Sequence, residues 1–155
     1  MNATLALENG TWYEGDAAGA AGQTGGEVVF NTAMTGYQEV LTDPSYAGQI
    51  VTMTSPEIGN YGIAGEDAES REPHVAGFII RDQSPIASNW RADSTLRDYL
   101  VRNNIVAISD IDTRALTRVL RSTGVMRGII ATGDVDPRIL VDEAKALPEM
   151  EGSDL

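Results

Sequence analysis

Four segments in the last third of the chain constrain the fold most. Two short apolar runs, Ile105 to Ile108 and Val125 to Ala131, are each followed by an amphipathic stretch of about ten residues. Asp112 caps the first stretch, which runs to about Ser122 with Gly124 as its stop, and Asp136 opens the second, which ends near Ala146. Val75 to Ile80 reads as a further strand. Ser94 caps a helix to about Arg102, with Leu96, Tyr99 and Leu100 on its buried side. Strands separated by helices of this length imply parallel crossover units.

The first half reads differently. Leu5 to Leu7 and Thr11 to Tyr13 flank Glu8-Asn9-Gly10, and Asn-Gly is a strong tight-turn signal, so the chain opens on a β-hairpin. Residues 15–26 are so rich in glycine and alanine that a loop or flexible connection is expected. Val28-Val29-Phe30 reads as a buried strand, Gly36 to Leu41 as a short helix closed by a turn at Asp43-Pro44, and Gln49 to Met53 as a half-buried strand. Residues 55–73, rich in Pro, Gly, Asn and acid, read as a long surface loop of the kind that often binds ligands. An antiparallel opening followed by strand–helix alternation makes a mixed α/β domain. No internal period supports a solenoid.

Composition narrows the chemistry. With 23 acids against 11 bases the formal net charge is −12, which opposes nucleic-acid binding. No apolar run is long enough for a membrane helix, and the N-terminus lacks a signal peptide's basic flank, so a soluble, cytoplasmic protein is expected. Ten of the bases are Arg and Lys145 is the one Lys, a balance that fits a salt-adapted surface and GC-rich coding equally. The absence of cysteine removes disulfides, thiolate metal ligands and a cysteine nucleophile. Neither a nucleophile elbow nor a phosphate-binding glycine loop is present.

Three constellations remain. His74, the single histidine, stands beside Pro73 as a general base or a plain surface residue. Asp110 and Asp112 follow a strand, where they can hold Mg²⁺ in a self-contained enzyme, or else cap the next helix and complement its positive end. Arg114, Arg118 and Arg121 repeat at i, i+4 and i+7 on one helix face, opposite Ala115, Leu116, Val119 and Leu120, with Arg127 beyond. No acid lies between Thr113 and Ala131, so this basic island is either a docking face for an acidic partner, as in an adaptor, or a solvated helix face.

Longer patterns carry a resemblance. The run Gly26-Glu27-Val28-Val29-Phe30-Asn31-Thr32-Ala33-Met34-Thr35-Gly36-Tyr37-Gln38-Glu39 continues through Leu41-Thr42-Asp43-Pro44-Ser45-Tyr46. Gln49 to Thr54, Ile58 to Gly62, Gly77 to Asp82 and Ile105 to Arg114 follow in order. Together they resemble the small, glutamine-hydrolysing subunit family of carbamoyl-phosphate synthase over nearly the whole chain. Ala33 stands where Ser is common in that family, and Ser55 where an aromatic is common.

The resemblance implies a swivelling β/β/α three-layer α/β domain over residues 1–148, with mixed sheets. It also implies a linker, beginning at 149–155, toward a C-terminal glutaminase domain with a Cys-His-Glu triad. In the family the ammonia released from glutamine passes to a large subunit, which uses ATP and Mg²⁺ to make carbamoyl phosphate for arginine and pyrimidine synthesis. No cofactor is expected in this domain. The family's N-terminal domain supplies much of the large-subunit contact, for which Arg114, Arg118 and Arg121 are the candidates here. Ser45 is similar to the serine that reaches the glutamine site, and no triad residue maps onto this chain. The chain alone is therefore expected to release no ammonia from glutamine, since it has no thiol to form an acyl intermediate. Release above a no-protein control that survives repurification would overturn this.

Overall fold

The computed structural model describes residues 1–31, 37–54, 72–81 and 96–148. The opening hairpin pairs β1 (Asn2–Leu7) with β2 (Trp12–Ala17), Ala6 opposite Trp12. Its turn depends on Gly10, whose φ of +96° is costly for any side chain, and on Asn9, whose Oδ1 accepts from the Thr11 amide at 3.0 Å. β1 also pairs antiparallel with β7 (Met126–Thr132). It is thus flanked by a strand on each edge, and its residues from Ala3 to Leu7 are all buried.

Between them in sequence come β3 (Gln23–Asn31), α1 (Tyr37–Leu41), a 3₁₀ turn (Pro44–Tyr46), β4 (Gln49–Met53), β5 (Gly77–Ile79), α2 (Leu96–Arg102), β6 (Val106–Ser109) and α3 (Thr113–Thr123); α4 (Pro137–Ala146) follows β7. The strands close into one barrel in the order β1-β2-β6-β5-β4-β3-β7. The expected mixed α/β domain with an N-terminal hairpin is present, its strands joined in a single closed sheet rather than in separate sheets. β3, β4, β5 and β6 are mutually parallel, so their C-terminal ends share one rim.

Two expectations are corrected. The step from β6 through α3 to β7 is not a parallel crossover. The far edge of β6 is taken by β2, through Asp16–Ser109 and Ala17–Ile108, and β7 instead runs antiparallel to β1 and β3. Nor are residues 15–26 a loop, since β2 and β3 occupy most of them. Their glycines serve close packing. A Cβ on Gly15 would lie 2.2 Å from the Ser109 carbonyl oxygen, and one on Gly26 would lie 2.5 Å from that of Gly48. The expected binding loop at 55–73 and the Ser94 cap fall largely or wholly outside the described residues.

Inside the barrel, Leu5, Leu7, Val28, Ile50, Ile79, Ile108 and Ile130 form one cluster, which Leu116 and Leu120 of α3 join. α1 and α2 cover Val51, Met53 and Phe78 on one outer side, while α4 covers Ala6, Ile129 and Ala131 on another. The ends of α3 are as expected: Asp112 Oδ1 accepts from the Ala115 amide at 3.0 Å, and Gly124 has φ +83°. Its inner face differs. Thr113 and Thr117 are buried with Leu116 and Leu120, whereas Ala115 and Val119 are half-buried. Thr117 is tolerated there because its hydroxyl donates to the Thr113 carbonyl at 2.7 Å.

Arg127 does not belong to the basic face. Its Nη2 and Nε bond Glu8 at 2.9 and 3.1 Å, and its Nη1 donates to the Leu147 carbonyl, fastening the hairpin turn to β7 and the end of α4. Arg127's hydrogen bonds hold the Glu8 carboxyl below its ordinary 4.5. A depressed carboxylate pKa stabilises the fold above the unfolded-state value, and that stability is lost as pH falls through the folded-state value. Glu8→Gln should therefore cost about 1.5 kcal/mol at neutral pH, the low end for charge-assisted bonds at a partly exposed pair. Urea unfolding of both proteins should show the gap narrowing as pH falls below the ordinary carboxylate range and through the folded-state value, where Glu8 becomes uncharged as Gln is. A gap that is independent of pH would contradict the assignment.

Candidate functional site

The sequence candidates fall at opposite ends of β4. Before it, Pro44 fixes its own φ and keeps Asp43 extended, at φ −77° and ψ 117°. In that conformation Asp43 Oδ1 accepts from both the amide and the hydroxyl of Ser45, at 2.9 and 2.7 Å. Those two bonds, with His74 nearby, hold the Asp43 carboxyl below its usual value. Ser45 itself is exposed. Tyr46 secures the turn from the other side, its hydroxyl accepting from Asn31 Nδ2 at 2.8 Å. The hydroxyl proton of Ser45 is thus committed to Asp43, and its lone pairs face outward beside a carboxylate. Such an arrangement favours a cationic donor, such as an ammonium, over a second anion.

His74 has an exposed side chain, and its backbone joins α1 to the start of β4. Its amide donates to the Leu41 carbonyl at 2.8 Å, and its carbonyl accepts from the Gly48 amide at 3.3 Å. Its place is a surface residue that clamps the Ser45 turn.

After β4 lies a cleft of ≈ 540 Å³ lined by Thr54, Arg81, Thr113, Arg114, Thr117, Arg118 and Arg121. The structure brings the three helix arginines together as their spacing implied and adds Arg81, which the sequence reading passed over. Arg81 follows β5, and its carbonyl accepts from the Asp110 amide at 2.9 Å, tying it to the turn that starts α3. The signal for it was available: it comes two residues after a parallel strand, where ligand-facing residues concentrate. Arg121 lies over the Phe30 ring, 5.5 Å from its centroid. All four arginines are exposed.

Asp110 and Asp112 flank this rim in structural roles. Asp112 caps α3. Asp110 adopts a left-handed φ of +62° and accepts from the Ser109 hydroxyl at 3.1 Å. Among the described residues, no three metal-binding side chains gather in one place.

β4 has five residues, so the two ends are separated by roughly 17 Å at about 3.4 Å per residue. The structure therefore does not join Ser45 and the arginines in one site. The Ser45 turn lies at one rim and the arginine cleft at the other.

The family model described as the carbamoyl-phosphate synthase small chain, CPSase domain, matches residues 5–130. The chain belongs to this family. It is 57% identical over all 155 residues to the carbamoyl phosphate synthase small chain of Syntrophotalea carbinolica, covering 41% of that protein. It is 58% identical over 153 residues to that of Rhodopirellula baltica, covering 99% of this chain and 39% of the relative. The corresponding protein of a Synechococcus strain is 59% identical over 153 residues, with 99% of this chain and 39% of the relative covered. The chain thus spans about two fifths of the length of the curated relatives it matches.

Proposed function

We propose that this chain is the N-terminal domain of a carbamoyl-phosphate synthase small subunit. In this reading, residues 1–148 are the domain, and 149–155 begin the linker to a C-terminal glutaminase domain. The domain contacts the large subunit and completes the glutamine site from its own side. Catalysis of glutamine hydrolysis belongs to the glutaminase domain, and ATP and Mg²⁺ to the large subunit, in cytoplasmic synthesis of carbamoyl phosphate for arginine and pyrimidines. The barrel, with α4 on one side and α1 and α2 on another, is this chain's form of the family's swivelling β/β/α domain. The observation that carries the reading is 57% identity sustained along all 155 residues with a small chain.

Ser45 is the glutamine contact in this account. With its proton given to Asp43, it accepts from the substrate's α-ammonium group, and the Asp43 carboxylate reinforces the attraction. The arginine cleft, at the other rim, faces the large subunit. Calorimetric titration of the chain into a purified large subunit from the family tests the reading. A saturable one-to-one isotherm is expected. No heat, together with separate elution of the two proteins from a sizing column, would refute it.

A further inference from the structure

We propose that the cleft formed by Arg81, Arg114, Arg118 and Arg121 seats an acidic segment of a protein partner, recognised by guanidinium–carboxylate pairing. The proposal rests on the preceding reading only in taking that partner to be the large subunit.

The first support is convergence. β5 and β6 are parallel neighbours, with Ile79 opposite Ile108, so Arg81 after one and α3 after the other emerge on the same rim. Thus one strand end and one helix deliver four guanidinium groups to a single cleft. In a chain of net charge −12 this is a local reversal of sign. Among the described residues, none of the four is ion-paired to a carboxylate. Like charges held side by side repel, and an anionic occupant relieves that repulsion.

The chemistry of the lining selects the kind of anion. The Thr54 and Thr117 hydroxyls donate to the carbonyls of Asn31 and Thr113, at 3.0 and 2.7 Å, and so their protons are turned away from a ligand. Asp112 already occupies an amide of the first turn of α3. The cleft therefore offers chiefly arginine forks, which match carboxylates in bidentate pairs, with two of its three threonine hydroxyl protons and one first-turn amide of α3 already committed.

Its dimensions agree. Arg114 and Arg121 are separated by roughly 10 Å along the helix axis, and Arg114 and Arg118 by roughly 6 Å, at about 1.5 Å per residue. One small anion cannot engage that strip, whereas carboxylates repeated along a peptide can. Nucleic acid also repeats its charge, but the surrounding excess of acid repels it. Arg121 is held over Phe30, so one fork is already positioned before binding.

The test is the titration with the large subunit, repeated with the double variant Arg81→Gln, Arg118→Gln. Arg138→Gln, at an exposed position of α4, is the control. The double variant should bind roughly tenfold or more weakly, since each arginine removed loses charge-assisted bonds. The control should bind as the wild type does, and thermal melts should confirm that both variants fold. Wild-type binding with an unweakened double variant overturns the cleft while leaving the proposed function standing. If the wild type does not bind the large subunit, the proposed function fails, and the cleft is then tested by NMR of the arginine Nε–H groups. Saturating shifts at Arg81 and Arg118 with a hexaglutamate peptide, and none with inorganic phosphate at equal charge, support an acidic segment. No shift with the peptide, or an equal response to phosphate, rejects it.

Discussion

Gly15→Ala is expected to lower the unfolding free energy by about 3 kcal/mol, at the upper end of ordinary overpacking costs. The added methyl would lie 2.2 Å from the Ser109 carbonyl oxygen and 2.7 Å from Ile111 Cγ2. Backbone oxygen cannot swing aside as a flexible side chain can, so β2 must lift away from β6. That seam is short, with Asp16–Ser109 and Ala17–Ile108 as its paired residues, and it closes the barrel. For a chain of this size the loss corresponds to a melting point lower by roughly 6–12 °C. If residue 15 lay in a flexible loop, the same change would be neutral or would stabilise by about 0.4–1 kcal/mol through the unfolded state. Urea unfolding separates the two accounts by sign. Gly10→Ala is a useful comparison, because it meets no atom within 4 Å but carries a φ of +96°, so strain alone should cost it about 1 kcal/mol.

The second large effect is kinetic. In the full-length subunit, Ser45→Ala should reduce kcat/KM for glutamine by roughly ten- to a hundredfold, the range expected for losing one hydrogen bond to a charged group. Stability should change far less. The bond from the Ser45 amide to Asp43 remains after substitution, as does the Asn31–Tyr46 bond, so the turn keeps its frame. Only the hydroxyl bond to Asp43 is lost, and water can replace it at this exposed position. Steady-state rates with glutamine and with ammonia as nitrogen source distinguish the roles, since ammonia bypasses the glutamine site. Loss with glutamine alone supports the contact. Equal losses with both would make Ser45 a turn residue and nothing more.

Much of the local structure was legible because its causes are local. Asn9-Gly10 specifies its turn through the φ of one glycine, and Asp112, Asp136 and Gly124 mark helix ends through bonds within three residues or a single backbone angle. The features that escaped depend on distant partners. Gly15 resembles a loop glycine until Ser109 is placed beside it, and Arg127 resembles its helix neighbours until Glu8, 119 residues away, is seen to pair with it. The route of β7 was equally hidden: strand–helix alternation gives the order of elements along the chain, not that β2 has already taken the edge of β6. Thr113 and Thr117 look solvent-facing by residue type, and Thr117 can be buried only because it bonds the carbonyl one turn back.

The candidate sites divide in the same way. The Asp-Pro-Ser-Tyr pattern pointed to Ser45, and Pro44 explained why its position is fixed. That the hydroxyl proton belongs to Asp43 required coordinates. The helix arginines were visible by their spacing, whereas Arg81 joined them only through the parallel pairing of β5 with β6.

If this chain occupies the small subunit's place on the large subunit without doing glutamine chemistry, competition reveals it most directly. Carbamoyl phosphate synthesis by an intact two-subunit enzyme of the family is measured as this chain is added in increasing excess, with glutamine and separately with ammonia. The glutamine-dependent rate should fall progressively as the chain displaces the complete small subunit, while the ammonia-dependent rate persists. A glutamine-dependent rate that is unaffected at large excess, or parallel inhibition of both reactions, would contradict it.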